Sequence, residues 1–302
     1  MQNTLITILG PTGIGKSRLA IELAEHLGTE IISSDSRQFY REMTIGTAVP
    51  AKEDLLRIKH HFIQHISVHD YYSASIFEQD VLAFLTEFFR KKKVVIMAGG
   101  SGLYINAVCG SIDNIPDIDK DTRLKYLERL EKEGIESLRN ELKLVDPEYY
   151  SISDLRNPKR ILRALEIFAS TGNKYSSYLG KGGKKRDFRI IRIGLTDSRE
   201  TLYKRINKRV DAMMAAGLEQ EARSLYALRD LNALNTVGYR ELFSYFDGSI
   251  SRDEAIELIK RNSRRYAKRQ LTWWSRESGI KWFAPGQKNE ILDYLSDLIP
   301  GI

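Results

Sequence analysis

Apolar and polar positions along this chain follow two regimes. Residues 4–9 form a short β-branched and apolar run ending in Gly10, and residues 16–27 place Leu19, Ala20, Leu23, Ala24 and Leu27 on one helical face. The pattern predicts a strand, a glycine-rich turn and a helix. Residues 30–33 predict a second strand and residues 62–66 a third. The continuous apolar run 94–98, ending in Gly99 and Gly100, predicts a fourth after a helical stretch over 76–89. Strands alternating with helices imply a parallel α/β sheet. Beyond about Asp113 the pattern turns helical: residues 122–132, 135–144 and 158–170 all show helical spacing, and no strand is predicted until 189–195. The expected organisation is a core of residues 1–113 and 187–302 with a helical C-terminal part, interrupted by a helical insertion over 114–186. In that C-terminal part, Asp197 followed by Glu200 predicts a capping box for a helix over 198–214. A long helix over 251–275 carries Ile256, Ile259, Ser263, Ala267, Gln270 and Trp274 on one face.

Composition narrows the class. Of 302 residues, 42% are hydrophobic and 29% charged, with only 7 Pro, which excludes a disordered or fibrous chain. The longest apolar runs fall far short of the roughly 20 residues a membrane helix needs, and no secretory signal is visible. The single Cys109 excludes an internal disulfide and a Cys-based zinc site and fits a reducing cytosol, so the expected location is cytoplasmic. A net charge of +7 points toward a polyanionic partner. His60, His61, His65 and His69 lie close together, but no carboxylate pair completes a ligand set, so packing and polar contacts are expected there.

Candidate chemistry starts at Gly10, Pro11, Thr12, Gly13, Ile14, Gly15, Lys16 and Ser17, which fit G-x-x-x-x-G-K-[ST] between a predicted strand and helix. In such a loop the backbone amides converge on a di- or triphosphate, Lys16 neutralises its oxygens, and the Ser17 hydroxyl can ligate Mg2+. The fold expected is therefore a P-loop NTPase-like parallel sheet with a helical insertion. Asp35 follows the second strand and falls at the carboxyl edge of the sheet, where it is placed either for catalysis or to close an Asx-turn. Gly99, Gly100, Ser101 and Gly102 either admit a ligand close to the backbone or make a tight strand-to-helix turn. Arg205 and Arg209, four apart with no acidic helical neighbour, call for an external anion, a tertiary ion pair or solvent. Asn157 and Pro158 predict a helix start beside Lys159, Arg160 and Arg163, cations that a helix N-terminus disfavours unless phosphates dock there. Two further basic stretches, the glycine-rich segment 180–186, expected to be a mobile loop, and the face of Lys260, Arg261, Arg264, Arg265, Lys268 and Arg269, read as polyanion contacts or as solvated surface.

Taken in order, GPTGIGKS at 10–17, SSDSRQFY at 33–40, IGTAVP at 45–50, AGGSGLY at 98–104, NPKRILRALE at 157–166, RINKRVDAMMAAGL at 205–218, VGYRE at 237–241 and AKRQLTWW at 267–274 resemble the bacterial tRNA dimethylallyltransferase family over nearly the whole chain. The resemblance implies transfer of a dimethylallyl group from its diphosphate to the exocyclic amine of the adenosine 3′ of the anticodon, in tRNAs that read codons beginning with U. It implies Asp35 as general base, with Ser101, where the family commonly has Thr, and Lys16 at the reacting groups. Lys16, Ser17 with Mg2+, and Arg209, helped by Arg205, would hold the diphosphate. Asp35, Ser36, Arg37, Gln38 and Ser101 would contact the target adenosine. Arg123, Lys159, Arg160, Ile161, Leu162 and Arg163, together with Gly238, Tyr239 and Arg240, match tRNA-facing positions. The implied partners are dimethylallyl diphosphate and a tRNA anticodon stem-loop, with the protein a monomer. The competing readings are a P-loop small-molecule kinase binding ATP, an adenylate isopentenyltransferase and a non-enzymatic RNA-binding module.

Overall fold

The computed structural model describes residues 2–181 and 183–301, so Gly182 of the basic segment lies outside the described residues. Two compact units emerge, residues 1–109 with 186–302, and residues 110–185. These divisions lie near the 113/114 and 186/187 boundaries expected from the sequence. The difference at Arg186 has a physical reason. Its guanidinium donates to the carbonyls of Ala107 and Val108 and pairs with Glu78, and all of these are buried or nearly so. Arg186 therefore belongs to the larger unit and is not part of a solvated basic loop.

The larger unit begins with β1 (Thr4–Leu9), α1 (Lys16–His26), β2 (Ile31–Ser33), α2 (Lys52–Arg57), β3 (His60–His61), α3 (Ala74–Phe88), β4 (Val94–Ala98) and α4 (Gly102–Val108). The smaller unit holds α5 (Lys120–Val145), α6 (Pro147–Ile152) and α7 (Pro158–Thr171). The chain then returns with β5 (Arg189–Leu195), α8 (Arg199–Ala215), α9 (Leu218–Ser224), α10 (Tyr239–Phe246), α11 (Arg252–Trp274), β6 (Ile280–Phe283) and α12 (Lys288–Leu298). The six strands make one parallel sheet in the order β3-β2-β4-β1-β5-β6. Every residue of β1 is buried: Leu5 and Leu9 pack on one face with Phe77, Val81 and Met97, while Ile6 and Ile8 pack on the other with Leu19 and Leu23 of α1. Such two-sided burial is what a continuous apolar run in a parallel sheet signifies. A third core joins α8, α9, α10 and α11 through Val210, Leu218, Tyr239, Leu242 and Ile259.

Two expectations need correction, and one strand was not predicted. Residues 62–66 are not a strand, because Phe62 and Gln64 adopt positive φ (61° and 49°), and β-pairing in that region is limited to His60–His61 and one bridge from Tyr40 to Ile66. The cap of α8 is Ser198, whose hydroxyl accepts from the Thr201 amide, while Asp197 accepts from the Ser198 amide. The last strand, β6, is absent from the sequence reading: it is a four-residue edge strand beside β5.

The smaller unit packs α5, α6 and α7 around Tyr126, Leu138, Leu142, Ile161 and Leu165. Gly134, at φ 75°, breaks α5 into two helical stretches, as the periodicity predicts. Asn157 caps α7, accepting from the Lys159 amide at 3.1 Å, with Pro158 in the first turn.

Candidate active site

The carboxyl ends of β1, β4 and β2 are in register, Ile8 with Ala98 and Ser33 with Ala98, so the segments leaving them meet at one edge of the sheet. Gly10 turns the chain at φ 137°, and a Cβ there would lie 2.6 Å from the Leu195 carbonyl, so only glycine fits. Lys16 opens α1 and donates from Nζ to the Pro11 carbonyl at 2.8 Å. Burial pulls its ammonium down to about 7, opposed by Asp35 and reinforced by Arg209. The Thr12 amide donates to Gln270 Oε1 at 2.8 Å, and Gln270 Nε2 donates to the Gly100 carbonyl at 2.8 Å. One side chain of α11 therefore joins the phosphate loop to the turn after β4.

The glycines of residues 99–102 lie against neighbouring side chains. A Cβ on Gly100 would meet Gln270 Nε2 at 2.3 Å, and one on Gly102 would meet the Trp273 indole nitrogen at 2.4 Å. Gly100 and Gly102 let α11 pack closely against the turn, while a Cβ on Gly99 would meet the Ser34 hydroxyl at 2.3 Å. Ser101 nevertheless reaches the candidate site: its Oγ accepts from the Ser36 amide at 3.0 Å and donates to Ser36 Oγ at 3.1 Å.

Asp35 closes an Asx-turn, its Oδ1 accepting from the Arg37 amide at 3.0 Å, and it also lines the cavity. The two readings of this residue are compatible, since the turn orients the carboxylate. The cavity, about 390 Å³, is bounded by Thr12, Asp35, Ser36 and Arg37 on one side and by Arg209, Gly238, Arg240, Tyr266 and Arg269 on others. The Arg209 guanidinium donates to Thr12 Oγ1 at 3.1 Å, directly over the phosphate loop. Burial disfavours its charge, and Asp35 counters that effect. Tyr266, beside Ser101, has its phenol pushed up to about 12 by burial and then by Asp35, so it stays protonated. Two cations and one carboxylate at the mouth of a phosphate loop leave an excess of positive charge that an anionic ligand neutralises.

Several expected site residues are engaged elsewhere. Arg205 turns to Asp197 at 3.4 Å and is exposed, which is the tertiary ion pair among its three readings. Gln38 is buried, its amide donating to the Thr47 and Ala48 carbonyls. Tyr239 is fully buried, its hydroxyl donating to Glu221, so it presents no face to a ligand. Arg37 lines the cavity but donates to the Asn232 and Ala233 carbonyls. In the smaller unit, Ile161 and Leu162 belong to the core and are not surface contacts. Lys159 and Arg160 are exposed at the N-terminus of α7, Arg123 is exposed in the first turn of α5, and Arg163 donates to the Pro116 carbonyl. On α11, Lys260 pairs with Asp211 and Glu257, and Arg264 donates to Asn207. His61 pairs with Glu30, and among the described residues no group of three or more metal-ligating side chains forms.

Tyr266 and Gln270 were not expected as site residues, and Arg269, expected as a polyanion contact or solvated surface, lines the cavity. The available signal was Gln270, a polar side chain on the largely apolar face of α11 that also carries Ser263.

The family model for IPP transferase matches residues 38–277. Over 292 residues the chain is 51% identical to tRNA dimethylallyltransferase 1 of Bacteroides fragilis, covering 97% of each chain. The fold matches that of the tRNA isopentenylpyrophosphate transferase of Bacillus halodurans with a TM-score of 0.72 and 35% identity, covering 98% of this chain and 96% of that one. It also matches a eukaryotic dimethylallyltransferase acting on tRNA with a TM-score of 0.82 and 26% identity, covering 98% of this chain and 80% of that one. Sequence and fold agree over nearly the full length, and the chain belongs to the IPP transferase family.

Proposed function

We propose that this chain transfers a dimethylallyl group from dimethylallyl diphosphate to the exocyclic amine of the adenosine 3′-adjacent to the anticodon, in tRNAs that read codons beginning with U. The observation that carries this reading is Asp35, a carboxylate at the wall of a cavity whose phosphate-loop side is lined by Thr12 and Arg209, with Lys16 alongside. The allylic C–O bond breaks with its electron pair leaving on diphosphate, the amine nitrogen forms the new C–N bond, and the amine proton passes to Asp35. Lys16, Arg209 and the loop amides offset the charge that grows on the leaving group, and that is the part of the transition state fixed cations stabilise most. The adenine amine becomes acidic only as the new bond forms, so a carboxylate held in place by its Asx-turn takes the proton at that stage.

Mg2+ fits as a companion of the diphosphate. It is commonly held by one or two protein oxygens together with phosphates, and Ser17 supplies an exposed hydroxyl in the first turn of α1. When bound, it would neutralise further charge on the leaving group. The expected location is the cytoplasm, where tRNA is found. Among the described residues no helix is long and apolar enough to cross a membrane.

Radiolabelled dimethylallyl diphosphate offered with tRNA, with AMP and with neither tests the reading. Label should enter tRNA alone. Transfer to AMP at a comparable rate would make the chain an adenylate isopentenyltransferase, and no transfer at all would sink the assignment.

Two quantitative outcomes follow from the geometry. Lys16 titrates near 7 in the ligand-free chain, and an anion bound against it raises that value again. Prenyl diphosphate binding should therefore take up protons above about pH 7, and affinity should fall as pH rises from there. Calorimetric titration at about pH 8, in two buffers of different ionisation enthalpy, reads the uptake directly. The second outcome concerns Lys159 and Arg160, exposed where a helix dipole disfavours cations. Replacing both by Ala should weaken tRNA binding, flatten the slope of log affinity against log salt by roughly 0.7–0.9 per lost phosphate contact, and leave prenyl diphosphate binding unchanged. An unchanged slope would assign the grip on tRNA to other cations.

A further inference from the structure

We propose that Glu221 is a positioning residue for the acceptor nucleoside, its carboxylate tying the loop of residues 44–48 to the turn at Gly238 and so fixing two walls of the cavity. For its substrate this inference rests on the prenyl-transfer reading above.

Glu221, on α9, accepts four hydrogen bonds. Its Oε2 takes the amides of Thr44 and Ile45 at 3.0 and 2.8 Å, and its Oε1 takes the amide of Gly46 at 2.9 Å and the Tyr239 hydroxyl at 2.6 Å. Successive backbone amides converging on one anion form a nest of the kind that binds phosphate elsewhere, and here the anion is a side chain of the same unit. Bonds to a charged acceptor are roughly twice as strong as neutral ones. Burial and Glu221 push the Tyr239 phenol far above its ordinary value, so it remains a donor.

The geometry joins loop and turn directly. A Cβ on Gly46 would lie 2.6–2.7 Å from the Tyr239 ring, so the ring lies against the loop backbone as closely as glycine permits. From its other side the loop is held by Gln38, whose amide reaches the Thr47 and Ala48 carbonyls, and Ala48 adopts φ 51°. Gly46 and Thr47 line the cavity, as do Val237, Gly238 and Arg240, the chain neighbours of Tyr239. Thr12 and Arg209 occupy the phosphate-loop side, which leaves the walls set by Glu221 to the nucleoside.

Glutamine at 221 is a near-isosteric probe. All four groups facing the carboxylate are donors in this structure, and three are backbone amides that cannot accept, so an amide NH2 in either orientation confronts at least one of them. Steady-state kinetics should be compared for wild type, Glu221→Gln, Tyr239→Phe and Glu219→Gln, beside prenyl diphosphate titrations without RNA and thermal midpoints. Glu219 sits on the same helix but accepts from Arg252, outside the nest, and serves as the control. Glu221→Gln should lower kcat/KM for tRNA by about 10- to 100-fold, the scale of a small misplacement of a reacting group, with prenyl diphosphate affinity kept within about two-fold. Tyr239→Phe should move tRNA kcat/KM the same way by a few-fold, and Glu219→Gln should match wild type. A fall in thermal midpoint with unchanged tRNA kinetics, or equal losses for both substrates, would overturn the assignment. Should Glu221→Gln fail to fold, Tyr239→Phe decides alone, and wild-type tRNA kinetics there would overturn it. Transfer to tRNA by the wild-type chain is established first, so failure of the underlying reading shows in the wild type and failure of this inference only in the variants.

Discussion

Asp35→Asn should slow single-turnover prenyl transfer by about 10²–10⁴-fold, the usual worth of a positioned general base. The substitution isolates the proton acceptor, because an amide oxygen can still accept from the Arg37 amide and keep the turn closed. Affinity for tRNA should stay within a few-fold of wild type, since phosphate contacts dominate such interfaces and one half-buried carboxylate adds little. A side effect must be controlled. Asp35 also supports the charge on Lys16, so its loss lowers that ammonium further and weakens diphosphate binding as pH rises. The comparison therefore belongs at saturating prenyl diphosphate and at a pH below about 7. Near-normal turnover under those conditions would remove Asp35 from the proton-transfer step.

Arg209→Ala should lower kcat/KM for prenyl diphosphate by about 10²–10³-fold, with the loss divided between a higher KM and a lower kcat. Both parameters move because the guanidinium meets a charged ground state and a leaving group whose charge grows as the C–O bond breaks. The contact to Thr12 Oγ1 keeps it over the phosphate loop before any ligand arrives, so little reorganisation is needed. Arg205→Ala should cost far less, because that side chain pairs with Asp197 near the surface. Equal losses in the two variants would contradict the separation of their roles.

The sheet was legible because β1 and β4 are buried on both faces and therefore read as continuous apolar runs, while the phosphate loop carries its chemistry in its own residue types. Shorter pieces were not. The strand β3 has two residues and gives way to a segment with positive φ, and β6 is a four-residue edge strand whose pairing with β5 comes from a distant part of the chain. At the candidate site, local spacing placed Arg205 and Arg209 alike, and only the tertiary position of Asp197 separates them. Ile161, Leu162 and Tyr239 lie within motif stretches that match tRNA-facing positions, yet their side chains are buried. The links made by Gln270 and Glu221 span 258 and about 175 residues of chain, distances over which no sequence periodicity operates.

The most direct measurement is nucleoside analysis of a mixed tRNA pool after reaction with isotope-labelled dimethylallyl diphosphate. Digestion and mass spectrometry of individual tRNAs locate the label on both base and position. One modified nucleoside is expected, adenosine carrying dimethylallyl on its exocyclic nitrogen, immediately 3′ of the anticodon, in tRNAs reading codons that begin with U and in no others. Label on a different base or position, or label found only in free AMP when both acceptors are supplied, would contradict it.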